Sequence, residues 1–263
     1  MKPKPTARKF DVSRLQGLAH HAAIGLQAVE LRRTIEMLSS LTDEQWFQQT
    51  DCPEWDVHRM YLHVLGACEA GASVVENTRQ TVKALRYRRV NGGALEAALS
   101  AVQVRDRQTV TAPTLLKELR AVAPRTLRKR ESLPRLLRRH AAIPIDGPVA
   151  EKWPLGYLVD TIYLRDMWMH RIDAARATGS ELVLSADHDG VIVADIVAEW
   201  AQRHGKPVRL SLTGVAGGTF QIPANATIKQ VDAGEFDAVE FCRIMAGRST
   251  RPANELFATV VPF

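Results

Sequence analysis

Asp166 and His170 stand four residues apart in Tyr163-Leu-Arg-Asp-Met-Trp-Met-His-Arg-Ile-Asp173, a stretch without a helix breaker. In a helix, side chains at i and i+4 leave the same face one turn apart, so a carboxylate and an imidazole can close on one cation. Taken alone the pair also fits an ordinary helical ion pair, worth about 0.2–0.5 kcal/mol. Two features favour a metal. The face also carries Ile162, Met169 and Ala177, and burying a carboxylate without a partner is costly. His63, about a hundred residues upstream, lies in line with Met60, Ala67 and Val74, on a helix whose main apolar stripe is Val57, Tyr61, Val64, Leu65, Cys68, Ala72 and Val75. Two histidines and one carboxylate converging in a helical bundle would hold a divalent ion and leave coordination positions open.

The elements that must position these residues are mostly helical. Leu15, Leu18, Ala22, Ile24, Leu26, Val29, Leu31, Ile35 and Leu38 give a helical stripe over 13–39. Thr42 and Gln45 fit a capping box, and Asp56 an N-cap for a helix running to about Thr78. Asn91-Gly92-Gly93 is a break, followed by short helices over 94–104, 114–122 and 125–140 and a turn-rich link over 143–148. The helix of Asp166 and His170 spans about 155–178, with Gly179 as its stop. After it the pattern changes. Strands are expected at 182–184, 207–213, 219–222, 227–231 and 256–261, with helices over 191–204 and 237–246. The expected architecture is a basic tail over 1–12, a four-helix bundle over 13–180 and a small α+β domain over 181–263.

Composition bounds the classes. The chain has 263 residues, 46% hydrophobic and 24% charged, which places it among globular proteins and excludes a disordered chain. It holds no apolar run of roughly 18 residues, so no membrane span is expected. The N-terminus lacks the apolar core of a signal peptide, so the expected location is cytoplasmic. Three scattered cysteines, Cys52, Cys68 and Cys242, exclude a disulfide framework, and any thiol chemistry points to an external thiol. The net charge of +6 conceals a basic block. Residues 83–139 carry 15 Lys/Arg against 4 Asp/Glu. Nucleic acid, an anionic membrane surface or an anionic substrate could meet such a block, but Tyr87 is its only aromatic residue for stacking on bases; a solvated helix face explains it better.

Cys52-Pro-Glu-Trp-Asp-Val-His-Arg-Met-Tyr-Leu-His-Val-Leu-Gly66 resembles the first signature of the mycothiol-dependent maleylpyruvate isomerase family, a branch of the DinB-like metalloenzymes: a Trp followed by a helix with a ligand His. Arg165-Asp-Met-Trp-Met-His-Arg-Ile-Asp173 resembles its second, a carboxylate four residues before a His. Arg209-Leu-Ser-Leu-Thr-Gly214, Asp237-Ala-Val-Glu-Phe-Cys-Arg243, Ala246-Gly-Arg248 and the ending Val-Val-Pro-Phe263 resemble the sterol-carrier-like domain that often follows. The resemblance implies a DinB-like bundle with His63, Asp166 and His170 as ligands of a divalent metal, zinc first and nickel, iron or manganese as the other candidates. It also implies mycothiol as thiol cofactor and a small electrophilic substrate, isomerised or transferred to sulfur. Asp166 stands where characterised isomerases carry Glu, one methylene longer.

Asp173, three residues past His170, could orient that imidazole or form a salt bridge. Arg248, or Arg88 and Arg89, could meet an anionic substrate. The turn from Gly214 to Gly218 reads as a hairpin rather than a phosphate loop. Cys52 and Cys68 read as structural. His20, His21, His140, His188 and His204 read as surface or capping residues, and Asp187-His-Asp189 as a turn. The rival readings are a non-catalytic metal or ligand binder of the same fold, a nucleic-acid binder, and a non-haem iron oxygenase, whose two-His-one-carboxylate set is the same.

Overall fold

Helical periodicity dominates the chain up to Gly179, and the longer runs of β-alternation come after it. The computed structural model describes residues 8–146, 150–224 and 229–263. They form a helix-rich structure with two small sheets, divided into two units: residues 19–182, and residues 183–263 joined by the described residues up to 18.

In chain order, strand β1 (Lys9–Asp11) precedes helix α1 (His20–Ser39). Then come α2 (Val57–Ala72), α3 (Val74–Asn91), α4 (Leu95–Arg105), α5 (Ala112–Glu131) and α6 (Arg135–His140). Strands β2 (Ala142–Ile145) and β3 (Glu151–Pro154) form a separate antiparallel pair. A short turn, α7 (Leu155–Tyr157), continues through one π-helical segment, Leu158–Ile162, into α8 (Tyr163–Thr178). The other unit adds α9 (Asp189–His204), β4 (Val208–Thr213), β5 (Gly218–Gln221), β6 (Val231–Asp237) and α10 (Ala238–Met245).

In the helical unit α1, α2, α5 and α8 pack around one core, and the α3–α4 hairpin lies against α2. Leu31, Leu38, Met60, Tyr61, Leu65, Leu115, Leu119 and Met167 fill that core. The buried face of α1 differs from the stripe expected of it, because it carries Gln27, Glu30 and Thr34. Glu30 pairs with the buried Arg171 of α8. Gln27 donates to the Val159 carbonyl at 2.7 Å, inside the π-helical segment, and accepts from Arg130 Nη1 at 2.7 Å. A π turn disrupts the regular i−4 ladder, and Gln27 supplies a partner there.

Explicit capping chemistry sets the local elements as expected at several helix ends. Thr42 N donates to Gln45 Oε1 at 2.9 Å and Gln45 N to Thr42 Oγ1 at 3.4 Å, although only a 3-10 turn, Gln45–Phe47, follows. Arg59 N donates to Asp56 Oδ1 at 2.7 Å, and Gly179 ends α8 in the left-handed region at φ 67°. Several boundaries differ. The helix expected to reach Thr78 ends at Ala72, since Ser73 is extended and caps α3 by accepting from Glu76 N at 3.3 Å. The expected break near Pro124 is absent: α5 runs through it, and neighbouring helices hold the helix together against the lost hydrogen bond. Part of the 143–148 link is strand β2, and its residues 147 and 148 lie outside the described residues.

In the other unit the sheet order is β1-β5-β4-β6. Val208, Leu210 and Leu212 of β4 point inward, alternating with more exposed residues. Trp200, Phe236, Phe241 and Phe257 form an aromatic core, with Trp200 Nε1 donating to the Leu256 carbonyl at 2.9 Å. The tail expected over 1–12 is wrong for Lys9–Asp11, which pair in parallel with β5 as Phe10 stacks on Phe220 at 4.6 Å. Residues 182–184 form no strand, and the strand expected over 256–261 is a 3-10 turn, Glu255–Ala258. The strand expected at 227–231 falls partly outside the described residues; β6 begins at Val231. The 214–218 segment is the expected hairpin turn between β4 and β5, with Gly217 N donating to Gly214 O at 3.0 Å. Among the described residues no helix is long and apolar enough to cross a membrane.

Candidate metal centre

α2 and α8 face each other in the bundle and bring His63, Asp166 and His170 together. One ligand atom from each lies within 4.8 Å of the others. Asp166 Oδ1 is 3.2 Å from His170 Nε2, and Asp166 Oδ2 is 3.9 Å from His63 Nε2. The imidazoles are nearly perpendicular, at 87°, with centroids 5.6 Å apart. Tetrahedral bonds of about 2.0–2.1 Å place neighbouring ligand atoms about 3.4 Å apart, so this spacing needs only small side-chain adjustments to hold zinc.

The donor chemistry also fits. His170 is 3% exposed, and neither ring nitrogen has a hydrogen bond of acceptable geometry among the described residues. Buried ring nitrogens without partners are costly, and a bound cation would remove one such cost. Burial opposes charge on His170, but Asp166 and then Asp173 override it and push its pKa up to about 9. Burial opposes charge on Asp166 as well, yet the His170 imidazolium, assisted by His63, holds its carboxyl well below the usual carboxylate range. A site so strongly disposed to hold positive charge beside a carboxylate suits a metal cation.

Sequence reasoning missed three neighbours. Gln103 of α4 places Oε1 2.7 Å from His63 Nδ1. Trp55 stacks on His63 at 5.1 Å and lies 6.3 Å from the His170 ring. Cys52, read as structural, places Sγ 3.7 Å from Asp173 Oδ2, next to the centre. The Trp before the helix was visible in the first signature; nothing in the linear pattern marked Gln103 or Cys52. Trp55 also lines a cavity of about 1390 Å³ that includes Trp46, Phe47, Arg59, Leu62 and Arg105.

Asp173 is fully buried, and its Oδ2 is 3.9 Å from His170 Nδ1, too long for a direct hydrogen bond. Arg248 belongs to the other unit, where its backbone bonds Arg243 on both sides: its N donates to the Arg243 carbonyl at 2.8 Å, and its own carbonyl accepts from Arg243 Nη2 at 3.0 Å. Arg88 pairs with Asp146 at 2.8 Å, while Arg89 is exposed. Much of the basic block is matched locally: Lys83 meets Asp106 at 2.6 Å, Arg107 meets Glu69 and Glu76, and Arg138 meets Asp160 at 3.2 Å. His58 bonds the Val110 carbonyl at 2.9 Å, away from His63. Two of the histidines read as surface or capping residues are partly or fully buried, His188 at the N-cap position of α9. His20 is held between Asp160 Oδ1 at 2.7 Å and the Glu131 carbonyl at 3.1 Å, and His188 is buried.

The segment 28–175 matches the family described as mycothiol maleylpyruvate isomerase N-terminal domain. The crystal structure of a mycothiol-dependent maleylpyruvate isomerase superposes with a TM-score of 0.57 at 14% identity, covering 89% of this chain and 93% of that one. A histidine-to-alanine mutant of such an isomerase gives 0.56 at 13%, with the same coverage. No curated protein matches the chain in sequence. The profile takes in more than half of the chain and contains His63, Asp166 and His170: the chain belongs to the mycothiol maleylpyruvate isomerase family of enzymes.

Proposed function

We propose that His63, Asp166 and His170 hold a divalent metal, zinc first, and that the protein is a thiol-dependent isomerase or S-transferase using mycothiol on a small electrophile. The observation that carries this reading is the convergence of three ligand atoms within 4.8 Å inside the segment that matches the family. In this reading the helical unit is DinB-like, the smaller unit is sterol-carrier-like and the location is cytoplasmic.

When bound, the ion supplies a lowered thiol pKa, so that a coordinated thiol is deprotonated near neutral pH. The chain's residues do the rest. His63 offers Nε2 because its Nδ1–H is engaged by Gln103. Asp166 supplies the one negative charge among the three ligands. Asp173, buried 3.9 Å from His170 Nδ1, favours a proton on that nitrogen and so leaves Nε2 as the ligand atom. Trp55 covers His63 and limits water. Its cavity, with Arg59 and Arg105 in the wall, offers space for an organic ligand.

Metal analysis of protein purified without an affinity tag tests the first step, with about one zinc per chain expected and little after His63→Ala. An equal metal content in wild type and variant sinks the site. Incubation with mycothiol and an unsaturated diacid then separates an enzyme, which gives isomer or adduct, from a binder, which gives heat without product.

A further inference from the structure

We infer that a two-glutamine relay from the α3–α4 hairpin fixes the tautomer of His63, making Gln103 and Gln80 positioning residues for the centre. The inference rests on the proposed metal site for its purpose, though not for its geometry.

The relay is directional. Gln80 Nε2 donates to the Gly66 carbonyl at 2.9 Å and to Glu76 Oε1 at 2.8 Å. Both its amide hydrogens are engaged, so its Oε1 must be the atom facing Gln103. Gln103 Nε2 donates to that oxygen at 2.8 Å, which turns Gln103 Oε1 toward His63. An oxygen there can only accept, so His63 carries hydrogen on Nδ1, and in the neutral ring Nε2, on the Asp166 side, is the nitrogen with the lone pair. Reversing either amide would set oxygen against oxygen. Gln80 is 1% exposed and Gln103 is 6% exposed, so water has little room to replace a lost bond.

The α2 backbone is shaped for the contact. A Cβ on Gly66 would stand 2.7 Å from Gln103 Cγ and 2.8 Å from Arg107 Nη1. Glycine at this position, three residues beyond His63, lets α4 approach closely enough for Gln103 to reach the imidazole. Glu76 is itself fixed by Arg79 at 2.6 Å and Arg107 at 3.2 Å. A histidine ligand needs one nitrogen free and the other anchored; here a neutral amide, rather than a carboxylate, supplies the anchor.

The test combines histidine nitrogen NMR on metal-free protein with zinc affinity measured by chelator competition. Wild type is expected to show His63 protonated on Nδ1. Gln103→Met preserves volume without the bond, and is expected to mix the two tautomers and weaken zinc binding by about 10–100-fold. Gln103→Glu keeps an acceptor for Nδ1–H although its second oxygen then faces Gln80 Oε1, and is expected to retain that tautomer and bind zinc more tightly than the Met variant. A wild-type His63 protonated on Nε2, or zinc affinity unchanged in Gln103→Met, overturns the relay. If wild type binds no zinc, the proposed centre fails, while the wild-type tautomer still decides the relay.

Discussion

Asp166 Oδ1 lies 3.2 Å from His170 Nε2 on the inner face of α8, close enough for attraction yet not aligned as a hydrogen bond. The two groups face a common point instead, where His63 Nε2 also arrives from α2. Without metal the pair is an i,i+4 ion pair, and it shares its focus with the third candidate ligand.

In the proposed centre, zinc uptake should be pH-dependent. Metal-free His170 has a pKa pushed up to about 9, so its imidazolium favours the fold fully below its ordinary pKa of about 6.5, and this contribution is lost as pH rises through about 9. Asp166 is depressed, so its contribution is present above about pH 4 and lost on further acidification. To bind at the proposed centre, zinc would have to displace the His170 proton. Its apparent affinity should therefore rise with pH up to about 9, with about one proton released per ion at pH 7. Calorimetry in buffers of different ionisation enthalpy measures that proton; zero release at pH 7 contradicts the assignment.

Asp166→Glu should retain zinc. The extra methylene adds about 1.5 Å of reach, and Asp166 is only about a third exposed, at 33%, with its oxygens 3.2 and 3.9 Å from the two imidazoles. Asp166→Asn keeps the volume and removes the charge, and should weaken zinc by at least roughly tenfold. Equal affinity in the Asn variant, read by chelator competition, would show that the carboxylate is not a ligand.

Gly66→Ala should destabilise the helical unit by about 1–3 kcal/mol through the clash with Gln103. Helix propensity alone favours alanine by about 1 kcal/mol. A stability gain in denaturant unfolding would therefore mean that α4 does not sit this close to α2.

Arg171→Met should cost about 3–5 kcal/mol, because it breaks a buried ion pair by removing the guanidinium that meets Glu30 in the bundle core. The double variant Glu30→Leu with Arg171→Met should recover most of that loss, since the pair's desolvation then disappears with it. Additive losses in the two single variants and the double would place Glu30 in water rather than the core.

The sequence by itself determined the helical segments and the three candidate ligands. Spacing puts Asp166 and His170 on one helix face whatever surrounds them, and Asp56 starts α2 so that His63 falls on its inner half. These are one-dimensional relations, fixed by 3.6 residues per turn and by capping chemistry. Tertiary structure decided the partners. Gln103 lies 40 residues from His63 and Cys52 lies 121 residues from Asp173, distances over which no periodicity carries information. The same holds for Glu30 and Arg171, which moved the buried face of α1 away from its apolar stripe. Strand β1 looked like a tail because three residues have no pattern of their own; pairing with β5 supplied their order. Local propensity is written along the chain, whereas the acceptor for a buried donor comes from whichever helix packing brings alongside it.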